Sequence, residues 1–240
     1  MQNSETSKDT PLKFLLTPAH VCSYLDRNQA QTLFFDPREP VTPAIYQSLA
    51  DQGFRRSGGH LYRPHCGDCN ACVPTRLPVS EFVPKRSQKR VLKKNLDIQV
   101  RLEEAQFSPR HYNLYERYIS LRHKDGDMYP ASEDQYRSFL LSPWSNSLFL
   151  SLYHEEKLLS VAVTDKQARG LSAIYTFFEP TQESRSLGVL SLLKQIELCR
   201  EMALPYLYLG YWIKDCQKMS YKIQYRPTEL FIENRWVRMT

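Results

Sequence analysis

Between Ser184 and Arg226 the chain reads SRSLGVLSLLKQIELCREMALPYLYLGYWIKDCQKMSYKIQYR, and no other stretch restricts the fold as much. Val189, Leu192, Leu193, Ile196, Cys199 and Ala203 recur at the helical period and predict one apolar helix face. Ser191, Lys194, Glu197, Arg200 and Glu201 fall on the opposite, polar side. Pro205 ends the helix, because proline has no N–H with which to continue it. Tyr206 to Leu209 then predicts a short strand that stops at Gly210. Gly188 follows Arg185, Ser186 and Leu187 at the helix mouth, where backbone N–H groups can face an anion or a polarised carbonyl.

Upstream, the periodicity predicts strands at 14–16, 33–35, 61–63 and 75–79, and helices at 45–54, 84–95, 108–123 and 132–140. Thr42 is the expected cap of the first helix and Pro43 its first residue. Cys22 and Asp26 fall in a loop between the first two strands. A strand at 98–102 follows the basic helix at 84–95, and 147–153, 158–164 and 171–178 read as three antiparallel strands, with 165–170 as the last turn. A closing hairpin turns around Asn234. The resulting class is α+β. A mixed sheet flanked by helices, of the acetyltransferase type, is expected over 106–240. A smaller α+β region with a cysteine loop and a basic helix is expected over 11–105, behind a disordered tail, 1–10.

The N-terminus, MQNSETSKDT, lacks the apolar stretch of a secretory signal. No run of about 18 apolar residues predicts a membrane span. With six cysteines in 240 residues and no export signal, a reducing cytoplasm suits the chain better than a disulfide framework. A monomer without membrane attachment is expected.

Clustering says more than the net charge of +6. Lys85, Arg86, Lys89, Arg90, Lys93 and Lys94 form two adjacent rows at four-residue spacing with no acid among them. Like charges so placed repel, and an anion such as a phosphate backbone would relieve the strain. Lys218 and Lys222 recur beside Tyr211 and Trp212, where cations and rings together suit a stacked nucleotide. Cys66, Cys69 and Cys72 have the two-residue spacing of thiolate ligands, and Cys22 would complete four. The same residues equally suit a tight loop or a redox-sensitive patch. The six histidines show no metal spacing and no nucleophile partner. Asp165, at a strand end, could accept a proton or serve a turn.

These segments resemble the aminoacyl-tRNA–protein transferases of the N-degron pathway. The resemblance is carried by Tyr62-Arg63-Pro64, Cys72-Val73-Pro74-Thr75-Arg76-Leu77, Ser87 to Lys93, Phe178-Glu179-Pro180 with Ser186-Leu187-Gly188, and Gly210-Tyr211-Trp212-Ile213. Cys216, Lys218-Met219, Tyr221-Lys222 and Tyr225-Arg226-Pro227 extend it. The chain resembles the compact bacterial branch more than the longer eukaryotic one. It departs from the longer eukaryotic members at Leu25 and Ala71, where those carry further cysteines. The resemblance implies transfer of leucine from leucyl-tRNA to proteins beginning with Asp or Glu. It implies no cofactor for the transfer itself, with zinc or an iron–sulfur cluster at Cys22, Cys66, Cys69 and Cys72 left open.

An aminoacyl ester is already activated, so positioning an α-amine against it can supply much of the acceleration. Asp165 or a water would take the proton, and N–H groups near Gly188 would hold the oxyanion. Arg63, Arg76 and Arg185 are the expected seats for the acceptor's carboxylate, because a guanidinium binds one in two places. Lys85 to Lys94 would carry the tRNA arm, with its terminal adenosine near Tyr211, Trp212 and Lys218. Two other classes also account for parts of the pattern. A coenzyme-A-dependent N-acyltransferase would share the core, and a zinc-dependent RNA-binding module would explain the cysteines and the basic helix.

Overall fold

The computed structural model describes residues 11–25 and 29–239. The expected tail, 1–10, and Asp26 lie outside them. In chain order the elements are β1 (Phe14–Leu16), β2 (His20–Val21), β3 (Gln29–Ala30), β4 (Thr32–Phe35), α1 (Pro43–Asp51), β5 (Arg55–Ser57), β6 (His60–Pro64) and β7 (Val73–Pro78). Then come α2 (Arg86–Lys94), β8 (Ile98–Glu104), α3 (Pro109–Arg122), α4 (Glu133–Leu140), β9 (Ser147–His154), β10 (Lys157–Gln167) and β11 (Gly170–Phe178). The chain closes with α5 (Leu187–Glu201), β12 (Tyr206–Trp212), a 3-10 stretch over Gln217–Gln224, β13 (Thr228–Ile232) and β14 (Arg235–Met239).

The strands form a small antiparallel sheet, ordered β1-β4-β6-β5, a short β2-β3 pair and an eight-stranded sheet, ordered β14-β13-β7-β12-β11-β10-β9-β8. The large sheet is antiparallel except between β11 and β12, which the crossover helix α5 joins in parallel. This is the expected mixed α+β architecture. The sheet draws strands from both sides of residue 105, because β7 pairs with β12 and β13, and β8 with β9.

Strand alternation supplies both faces of this sheet with apolar groups. Leu150, Leu152 and Ala162 pack with Leu190, Leu193 and Ile196 of α5. Phe149, Tyr153, Val161 and Val163 pack with Tyr115 of α3 and Tyr136 of α4 on the other face. Burying a Leu or Phe side chain contributes about 1.5–3 kcal/mol each, so these two layers dominate the stability. The helix α5 is less one-sided than its sequence predicts. Ser191 is fully buried, with its hydroxyl 2.8 Å from that of Ser160. Gln195, also buried, donates to the Thr164 hydroxyl at 2.7 Å. The reason is that both partners stand on β10, so this part of the polar side of α5 faces the sheet.

The small sheet and α1 enclose Phe35, Tyr46, Leu49, Phe54 and Leu61. Thr42 caps α1 by accepting from the Ile45 N–H at 3.2 Å, and Pro43 opens the helix, as expected. The helix ends at Asp51, three residues before the expected end. Among the described residues no helix is long and apolar enough to cross a membrane.

Candidate active site at the parting of two parallel strands

Parallel strands β11 and β12 pair only at Gly170–Tyr206, Leu171–Leu207 and Ser172–Tyr208. Both continue beyond these pairs, β11 to Phe178 and β12 to Trp212, without pairing to each other. The Arg55 side chain, reaching from β5 of the small sheet, spans the start of this gap. Its Nη1 donates to the Ser172 hydroxyl at 2.8 Å and to the Tyr208 carbonyl at 3.3 Å, and its Nη2 donates to the Ala173 carbonyl. Lys222, in the 3-10 stretch, donates from Nζ to the Tyr211 carbonyl on the same side of β12. Both cations are buried. Burial, and then the charge of Arg55, hold the Lys222 ammonium down at about 7.

Gly210 makes this approach geometrically feasible. Its φ of +82° accompanies a register shift between Tyr208 and Gly210 in the pairing of β12 with β7. A β-carbon at this position would stand 3.5 Å from Arg55 Nε and 3.6 Å from Lys222 Nζ. These are ordinary contact distances, so the cost of a side chain there is the left-handed backbone itself. Gly210→Ala should therefore lower stability by about 1–2 kcal/mol, read as a lower urea midpoint at unchanged slope.

The crossover helix α5 begins beside the parted strands. Ser186 precedes it in the left-handed region, with no side-chain cap. The first intrahelical bond runs from the Leu190 N–H to the Ser186 carbonyl, so the Leu187, Gly188 and Val189 N–H groups have no acceptor among the described residues. A β-carbon on Gly188 would come within 3.2 Å of the Phe178 ring. Tyr118 stands next to that ring, with centroids 4.9 Å apart. Asn95, at the C-terminal end of α2, donates to the Arg185 carbonyl at 3.0 Å and so ties the basic helix to this corner.

All six cations from Lys85 to Lys94 are exposed, and none has an acid partner among the described residues. The Lys85 N–H donates to Gln88 Oε1 at 2.8 Å, which helps a helix of repelling charges to start. The aromatic loop is arranged differently from the sequence expectation. A 3-10 stretch has three residues per turn, so Lys218 and Lys222, four positions apart, do not line up on it. Lys218 faces out and Lys222 faces in. Tyr211 is buried too, donating its hydroxyl to the Gly53 and Tyr62 carbonyls at 3.0 and 3.1 Å. Trp212 is half-buried.

Two of the three arginines expected to seat an acceptor already hold carboxylates. Arg76 binds Glu229 at 2.7 Å and Asp51 at 3.7 Å, between the rings of Tyr206 and Trp236. Arg185 grips Asp97 with two bonds of 2.9 and 2.8 Å. Arg63 is half-buried, donating to the Gln52 carbonyl and lying over the Phe54 ring. Asp165 is not available to an approaching amine. It is fully buried and accepts from Tyr46, from Ser147, and twice from Arg56, at 2.6 to 2.9 Å. It fastens β10 to the small sheet instead.

Arg63, Tyr211, Cys22, Cys66, Cys69 and Cys72 line one cavity of about 970 Å³. Burial, and then the neighbouring Cys22, Cys66 and Cys69 sulfurs, push the Cys72 thiol up to about 12. Among the described residues no three His, Cys, Asp or Glu side chains are arranged to hold a metal ion. The four thiols share one wall of the cavity.

Sequence reasoning overlooked Arg55. Its signal is the pair Arg55-Arg56 in a short strand, since alternation sends such neighbours to opposite faces and both here are buried.

Comparison with known proteins gives the chain a family. Sequence models of arginine-tRNA-protein transferase match it in two parts, the N terminus over residues 20–90 and the C terminus over residues 110–232. A relative named aspartate/glutamate leucyltransferase, from Alcanivorax borkumensis, is 55% identical over 94% of this chain and 93% of its own. Relatives of the same name from Hahella chejuensis and Pseudomonas fluorescens (strain Pf0-1) are 52% and 54% identical, each over 94% of this chain and over 97% and 96% of their own. Matched in both halves and similar to such relatives along nearly its whole length, the chain belongs to the arginine-tRNA-protein transferase family, a family of aminoacyltransferases.

Proposed function

We propose that this chain transfers leucine from leucyl-tRNA to the α-amino group of proteins that begin with Asp or Glu, giving them a destabilising N-terminus in the N-degron pathway. The observation that carries this reading is the parting of β11 and β12 beside the uncapped start of α5, with the exposed basic helix α2 tied to the same corner. Parted parallel strands joined by a crossover helix are also the arrangement of an acetyltransferase-type core, and the gap gives an amine and an acyl carbonyl a place to meet. The names and similarity of the relatives select leucine and the acidic termini.

In this reading the phosphates of the tRNA arm lie along Lys85, Arg86, Lys89, Arg90, Lys93 and Lys94, and Lys218 meets the strand end. The ester carbonyl sits over the Leu187, Gly188 and Val189 N–H groups. The neutral α-amine adds to the carbonyl carbon, and the charge that develops on the oxygen is met by these fixed dipoles. Collapse re-forms the carbonyl, breaks the C–O bond to the terminal ribose and releases tRNA with a free hydroxyl. An α-amine has an ordinary pKa of about 7.7–8.0, so water suffices to take its proton. Phe178 and Tyr118 offer a branched aliphatic side chain an apolar wall beside Gly188.

The test is incubation with radiolabelled leucyl-tRNA and peptides that differ only in their first residue. Label should enter peptides starting with Asp or Glu and enter those starting with Asn or Gln poorly. Arginyl-tRNA and acetyl-coenzyme A should be poor donors. Faster transfer from arginyl-tRNA would overturn the choice of leucine.

A further inference from the structure

We propose that Arg55 and Lys222 together form the seat for the side-chain carboxylate of the acceptor's first residue, an inference that rests on the function proposed above. Neither cation has a carboxylate partner among the described residues. Every acceptor they use is neutral: the Ser172 hydroxyl and the carbonyls of Ala173, Tyr208 and Tyr211. The other buried arginines behave differently. Arg56 is paired with Asp165, and Arg76 with Glu229. Two like charges buried side by side with no acid are costly unless something of opposite sign joins them.

The free donors point to where it would join. A guanidinium carries five N–H groups, and Arg55 Nε has no acceptor. Lys222 uses one of its three N–H donors. Nε and Nζ converge on the bare α-carbon of Gly210, and apart from the glycine and its chain neighbours no atom lies nearer than these two to the place a β-carbon would take. An oxygen brought between them is within reach of both. This place lies beside the parted strands, where the amine must arrive. An acidic side chain seated there leaves its α-amine directed along the gap toward the start of α5. Phosphates already have the exposed face of α2, so the deeper pair suits the peptide. Burial and Arg55 lower the Lys222 pKa, and a seated anion would oppose both effects.

The full-length chain, Lys222→Met, Lys222→Arg, Arg55→Lys and Arg63→Ala would be assayed with leucyl-tRNA and otherwise identical peptides starting with Asp, Glu or Asn. Lys222→Met should lower the ratio of kcat/KM for Asp over Asn by about 10- to 100-fold, the loss of one charge-assisted bond. Lys222→Arg should keep most of that ratio, and Arg55→Lys should lose part of it. Without peptide, Lys222→Met should melt no lower than wild type, because it removes an unpaired buried charge. Without tRNA, a saturating Asp-peptide should raise the melting temperature of wild type more than the Asn-peptide does, and this difference should vanish in Lys222→Met. That last result would support the seat even if leucine proved the wrong donor. Equal losses for Asp and Asn with a raised KM for leucyl-tRNA would overturn it in favour of a tRNA phosphate. A lower melting temperature with an unchanged ratio would leave the pair a structural role only, and a ratio lost in Arg63→Ala alone would move the seat to the cysteine-lined cavity.

Discussion

Asp165→Asn is expected to destabilise the fold by about 3–5 kcal/mol while leaving turnover per folded molecule near wild type. The substitution keeps the size of the side chain and removes its charge. Arg56 would then be a cation with fully buried side-chain atoms and no carboxylate, and Tyr46 and Ser147 would lose a charged acceptor. The loss should appear as a lower urea midpoint at unchanged slope. Replacing both partners, Arg56→Met with Asp165→Leu, should recover part of it, because neither charge then has to be buried. A turnover number depressed a hundredfold in protein as stable as wild type would return Asp165 to the chemistry as a proton acceptor.

Reversing two charges on α2 should weaken the donor and spare the acceptor. Lys89→Glu with Arg90→Glu is expected to raise the KM for leucyl-tRNA by about 10- to 100-fold at moderate salt. Each cation that neutralises a phosphate contributes roughly 0.7–0.9 to the slope of log affinity against log salt. Losing two should flatten that slope by about 1.4–1.8. The KM of an Asp-initiated peptide should change little. Both residues are exposed and free of acid partners among the described residues, so the folded state has little to lose. An unaltered KM for tRNA at low salt would show that the arm binds elsewhere.

Local rules made much of the fold readable. Thr42 and Pro43 start α1 because capping involves only neighbours in the chain. The antiparallel run β9, β10 and β11 follows from short turns between apolar alternations. Pro205 and the period of α5 imply the crossover. The basic helix is legible since its cations lack acids within the segment itself. What was not readable depends on partners remote in sequence. Arg55 meets Tyr208 across 153 residues, and Arg76 meets Glu229 across the same span. Nothing near Arg76 reveals that its fork is already filled, and nothing near Arg55 reveals that its fork is not. Lys222 turns inward because the stretch that carries it winds as a 3-10 helix, which the spacing of its charges does not disclose.

The position of β7 has a consequence for how the chain is made. It occupies the slot between β12 and β13, both of which leave the ribosome only after the rest of the second half. Until then β7 has neither neighbour, and the sheet closes by pairing strands from opposite ends of the polypeptide, a slow kind of step. A fragment starting near residue 106 would present two raw strand edges where β7 belongs and should self-associate. Supplying residues 1–105 as a separate chain should mend those edges, so that two inactive pieces, mixed, recover transfer activity in proportion to their complex.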